Sequence, residues 1–183
     1  MTHTYTTQND LLLNNLLEFY KVNDNMDKML RIINGESKIS LRIIDWFATN
    51  YAKKNYTVYQ LEGTQNRFKV YNDYKLKLNA YSKKRFDPFC RWDRITVPYN
   101  ENSHIQTTIG QLNFFKWALE NSVIEYIEQN YSTIEKDMNN RNSTAKHKAL
   151  EAKNKTRKKR EELSVSATKS IKKETVEILV KFD

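Results

Sequence analysis

Apolar residues recur along this chain at two spacings, and the change between them divides it. The first third is helical in pattern. Leu12, Leu13, Leu16, Leu17 and Tyr20 make one stripe, with Asn9 or Asp10 placed to cap it. KVNDN interrupts, and a second helix is expected from about Asp24, with Met26, Met29, Leu30 and Ile33 inward and Asn34-Gly35 as its stop. Ser40 opens a third helix, LRIIDWFATNYAKKN, whose Leu41, Ile44, Phe47, Ala48 and Tyr51 share a face. The pattern then shortens. YTVYQL and RFKVY read as two strands around the loop EGTQN. KLKLNAY alternates as a further strand would, or forms a short helix, while FDPFCRWDRITVPY reads as irregular because Asp87-Pro88 favours a turn. Thr108 with Gln111 is a capping-box pattern before one long helix, GQLNFFKWALENSVIEYIEQNYSTIEKDMNNR, with Ile109, Leu112, Phe115, Leu119, Val123, Tyr126, Ile127, Ile134 and Met138 as its stripe. Past Arg141 apolar residues thin out, until TVEILVKF resumes a strand-like alternation.

These elements predict an α+β fold. Helices pack on a small antiparallel sheet, and a basic C-terminal arm and a terminal strand follow. The expected boundaries are a disordered N-terminus at 1–8, a globular domain at 9–140, the arm at 141–173 and the strand at 174–183.

Charge sharpens this division. The net charge is +9. Residues 141–173 hold twelve Lys or Arg against three Glu, and residues 67–94 hold nine against three Asp. These excesses of +9 and +6 leave the remainder of the chain at −6. Two concentrated basic regions are the footprint of a polyanion binder. In 67–94 seven aromatics alternate with the cations: Phe68, Tyr71, Tyr74, Tyr81, Phe86, Phe89 and Trp92. Rings so placed either stack on bases or pack a core. The candidate nucleic-acid-binding residues are Lys83, Lys84, Arg85, Arg91, Trp92 and Arg94 here, with Lys153, Lys155, Arg157, Lys158, Lys159 and Arg160 in the arm. The arm residues also fit a basic nuclear-localisation pattern. Trp46 and Trp117 sit in helical patterns and are expected to be structural.

Little points to catalysis. Three glycines and two prolines are too few for a phosphate loop or a nucleophile elbow. Cys90 is the single cysteine, which excludes an internal disulfide and a cysteine-based zinc finger. Cys90 and His104 are the residue types of a nucleophile and its base, but no third residue is indicated to orient them. Asp45, Asp73, Asp87 and Asp93 match no metal-binding spacing, and Asp87 and Asp93 lie close in sequence to Arg85, Arg91 and Arg94, which can pair with them. His3 and His147 lie in polar flanks. No enzyme activity, cofactor or metal is expected. The N-terminal MTHTYTTQND lacks the regions of a signal peptide, and no apolar run reaches the ~20 residues of a membrane span, so a soluble intracellular protein without membrane contact is expected.

Four phrases are similar to an uncharacterised protein family carried by large double-stranded DNA viruses of algae and amoebae. They are SLRIIDWFATNYAKKN (40–55), YNDYKLKLNAYSKKRFDPFCR (71–91), TTIGQLNFFKWALENSVIEYI (107–127) and RKKREELSVSATKSI (157–171). The resemblance runs over most of the chain from Ser40 onward. It implies a setting, the infected host cytoplasm with its viral factory or the virion, and the basic pattern of the arm adds the nucleus as a further location. It carries over no functional residue. The expected partners are nucleic acid, DNA or RNA, and viral proteins. The leading function is nucleic-acid binding in genome organisation or viral gene expression, and the alternative is a structural or scaffolding protein of the virion.

Overall fold

The first helix, α1 (Gln8–Tyr20), begins where its own side chains satisfy its first amides. Thr7 Oγ1 accepts from the Asp10 N–H, and the Asp10 carboxylate takes the Thr7 N–H in return, closing a capping box. The computed structural model describes residues 7–63, 65–100, 103–151 and 172–175. Helix α2 (Asn25–Ile33) ends at Asn34, with Gly35 at φ 77° turning the chain away as the Asn-Gly pair predicts. Ser40 caps α3 (Leu41–Trp46), which passes through a π-helical turn at Phe47–Tyr51 into the short α4 (Ala52–Lys54). Within that widened turn Thr49 Oγ1 donates to the Asp45 carbonyl at 2.7 Å, an extra partner for a backbone acceptor where the regular ladder is disturbed.

Strands β1 (Val58–Gln60) and β2 (Arg67–Lys69) form the expected hairpin, with Tyr59 opposite Phe68. Helix α5 (Val70–Phe86) follows without a break. Then come β3 (Ile95–Asn100) and β4 (Ser103–Thr107), paired antiparallel, and β5 (Lys172–Thr175) lies along the other side of β4. Between them in sequence are α6 (Ile109–Glu120), α7 (Val123–Gln129) and α8 (Tyr131–Glu151). The α+β class holds, with the strands divided between two small sheets.

Several boundaries differ from expectation, the first at α1, which Thr7 caps in place of Asn9 or Asp10, so that Gln8 is helical where a disordered N-terminus is expected. The strand RFKVY stops at Lys69, because Val70, Tyr74 and Leu78 also carry a helical spacing and that spacing wins. ITVPYN is a strand and not irregular chain. Pro98 is tolerated because β3 lies at the sheet edge, and the register shifts between Pro98 and Asn100. The single long helix is three. Ser122 at φ 52° ends α6, and the side-chain amides of Asn121 and Asn130 donate to the carbonyls of Trp117 and Tyr126, which the backbone amides of the same two residues also reach. Its stripe nevertheless faces inward: Ile109, Leu112, Phe115, Val123, Ile127, Ile134 and Met138 are buried, and Leu119 and Tyr126 are half-buried.

Strand β5 (Lys172–Thr175) overlaps only the first two residues of the terminal strand expected at 174–183, and Val176, Ile178, Leu179, Val180 and Phe182 lie outside the described residues. Helix α8 carries the chain eleven residues into the expected arm, and residues 152–171 lie outside the described residues.

The core centres on α6. Tyr74, Phe86, Phe114 and Trp117 meet ring to ring, with centroids 5.7–6.3 Å apart, within the range of favourable tilted and edge-to-face pairs. Tyr20 reaches in from α1 and donates its hydroxyl to the Leu112 carbonyl at 2.6 Å.

Candidate nucleic-acid interface

The mixed stretch from Arg67 to Arg94 is sorted by the fold. Phe68, Tyr74 and Phe86 are buried, and Tyr71, Tyr81, Phe89 and Trp92 are half-buried. Of the nine cations, Arg67, Lys69, Lys75, Lys83, Lys84, Arg91 and Arg94 are exposed, and Lys77 and Arg85 are intermediate. Rings other than Trp92 therefore build the inside of this stretch and charges its outside. Among the described residues, Lys75, Lys83 and Arg91 enter no ion pair.

The C-terminal end of α5 is held hard against α6. Ser82 breaks the helical path at φ 65°, ψ 165° and starts a last turn that presents Lys83 and Lys84. Asn113 Nδ2 donates to the Arg85 carbonyl at 2.9 Å, and Arg85 Nε donates to Asn9 Oδ1 at 2.8 Å. Gly110 explains the close approach. A Cβ there would stand 2.8 Å from the Asp87 carbonyl oxygen and 3.1 Å from that of Lys84. Past the turn, Asp87 Oδ1 accepts from the Phe89 N–H at 2.9 Å, an Asx turn, and Pro88 is buried.

Trp92 lies outside the core cluster, as the surface reading requires. Its indole is not a bare stacking face, however. Lys84 Nζ sits 3.6 Å from the ring centroid, a close cation–π contact. A base stacking on that side would have to displace the ammonium. Arg85 is turned to Asn9, away from the pairing with neighbouring acids that its sequence position suggested. Lys83, Lys84, Arg91, Trp92 and Arg94 lie on the α5 end and the segment after it, while Lys153, Lys155, Arg157, Lys158, Lys159 and Arg160 lie outside the described residues.

The four acids considered for a metal do not act together. Asp73 accepts from the Trp117 indole N–H at 2.7 Å. Asp93 is exposed. Asp45 is pushed up to about 7, chiefly by burial and secondarily by the charge of Asp87. Burial raises Tyr74 as well, and Asp45 and Asp87 add to it. No group of three or more His, Cys, Asp or Glu among the described residues could hold a metal ion. His104 lies on β4 opposite Pro98, with a buried Nδ1 that has no partner among the described residues, and Cys90 is half-buried after the Asp87 turn. Trp46 is structural as expected. Its indole donates to Asp137 Oδ2 at 3.1 Å, and Lys54 binds the other oxygen at 2.9 Å. Partial burial raises the Asp137 pKa, but these two partners outweigh it and hold the carboxyl below its ordinary value.

Sequence reasoning missed a cleft between α1, α5 and α6, of about 290 Å³, lined among others by Asp73, Lys77, Tyr81, Asn113 and Trp117. Its residues come from three helices, so no local motif marks it. No helix among the described residues is long and apolar enough to cross a membrane.

Fold and surface thus define a small α+β protein with a basic outer face built over an aromatic interior. The chain belongs to a family of unknown function (DUF7197), whose profile matches residues 2–180. An uncharacterised protein of Acanthamoeba polyphaga mimivirus is 47% identical over 127 residues, 66% of this chain and 48% of the relative. The chain therefore spans about half the length of that relative. The resemblance to a family of large DNA viruses is met by this match. No solved structure matches.

Proposed function

We propose that this chain is a non-enzymatic nucleic-acid-binding protein of a large DNA virus, serving genome organisation or viral gene expression in the host cytoplasm or the virion. The observation that carries this reading is the sorting of residues 67–94, with rings other than Trp92 inward and seven of nine cations outward. Aromatic residues that pack the core fix the backbone under the charges. Cations without ion pairs among the described residues, such as Lys75, Lys83 and Arg91, are left to meet phosphate. The basic arm at 141–173 adds a second source of positive charge.

The test is the salt dependence of binding to duplex DNA. Replacing Lys75, Lys83 and Arg91 together by Gln should lessen the slope of log K against log salt by about 3 if each neutralises one phosphate. An unchanged slope with intact folding would remove this surface from the binding reading. A scaffolding role in the virion has one observation of its own, the 67% exposure of Leu76 on α5. Assembly with a viral protein that persists after nuclease treatment and is lost in Leu76→Asp would favour that role.

A further inference from the structure

The cleft between α1, α5 and α6 is near the lower end of the volumes that enclose small organic groups. Its floor is aromatic: Trp117 is 3% exposed and Phe86 fully buried. Tyr81 stands beside them, stacked on Phe86 with an interplanar angle of 18°, and remains half-buried. Two acceptors at the cleft are left over. Asp73 uses one oxygen on the Trp117 indole, and its other oxygen has no partner among the described residues. Asn113, 5% exposed, gives its Nδ2 to the Arg85 carbonyl. A carbonyl partner fixes which end of an amide is which, so the free end of Asn113 is its oxygen. Lys77 also lines the cleft and enters no ion pair among the described residues, whereas Lys116 stands 3.7 Å from Glu120.

Ring, acceptors and cation together answer a flat group with N–H donors on its edge and an anion attached. We infer that the cleft receives one unstacked base of a bound single strand, and that it favours bases carrying an exocyclic amine over thymine or uracil. Taking a base out of the stack exposes its pairing edge to such acceptors and its face to an aromatic side chain. The inference rests on the nucleic-acid reading above. Tyr81 immediately precedes the Ser82 break and the exposed Lys83 and Lys84, so a strand whose phosphates meet those lysines lies at the cleft.

The experiment measures affinity for short oligo-dC, oligo-dA and oligo-dT at fixed salt, for wild type and Asp73→Asn. The asparagine oxygen can keep the Trp117 bond while its NH₂ puts a donor where the free acceptor was. Wild type should hold oligo-dC and oligo-dA about tenfold more tightly than oligo-dT. Asp73→Asn should erase or invert that ratio without changing the salt slope. Equal wild-type affinity for all three strands overturns the cleft assignment and leaves the surface reading standing. A preference that Asp73→Asn leaves untouched also overturns it, because the base is then read elsewhere. Binding to none of the strands overturns this inference, while the duplex titration decides the surface reading separately. The Trp117 indole N–H resonance needs no variant: it should shift when oligo-dC saturates the protein, and a resonance that stays in place overturns the proposal.

Discussion

Asp45 is a carboxyl that the folded state prefers neutral. Its pKa rises from 3.8 to about 7 on folding, so the stability it contributes is full below pH 3.8 and is lost as pH climbs through about 7. Asparagine copies the neutral acid in shape. Asp45→Asn should therefore change stability little near pH 4 and raise it by about 4 kcal/mol at pH 8, as read by chemical denaturation at both values. Gly110 is the opposite case, a residue fixed by space. Alanine would gain about 1 kcal/mol of helix propensity, but its methyl would meet two backbone oxygens that cannot rotate away. The collision should dominate, with Gly110→Ala destabilising by about 1–3 kcal/mol in denaturant melts.

At the scale of elements, Phe115 on α6 is fully buried, and Phe115→Ala should cost about 3–5 kcal/mol in chemical denaturation. That burial was legible in the sequence, because the stripe from Ile109 to Met138 keeps its spacing across both helix breaks. The breaks themselves were harder to read. Asn121 and Asn130 are polar residues within a helical pattern, and only the fold reveals that their amides take up carbonyls of the preceding turn. Helix α5 was ambiguous for a definite reason: KLKLNAY satisfies a period of two as well as a helical period, and Val70 and Tyr74 decide it by entering the core. The caps at Ser40 and Thr108 were legible, since each hydroxyl accepts the amide three residues on. The basic surface could be located from charge alone. The Lys84 ammonium over Trp92 could not, because it depends on the Ser82 break and the turn at Asp87.

For the whole molecule, charge is divided between a surface held by the core and an arm. Replacing Lys153, Lys155, Arg157, Lys158, Lys159 and Arg160 by Gln should lessen the duplex-binding salt slope by about 5 if all six meet phosphate, measured by titration at several salt concentrations. This substitution leaves β5 in place, and β5 gives the arm a property that its composition does not suggest. Helix α8 fixes the chain up to Glu151, and pairing with β4 fixes it again from Lys172. The four-residue β5, whose first two residues belong to the basic arm, covers the β4 edge through antiparallel pairing along Ser103–Gln106. Its departure would uncover the β4 edge, an open template for a strand from another chain.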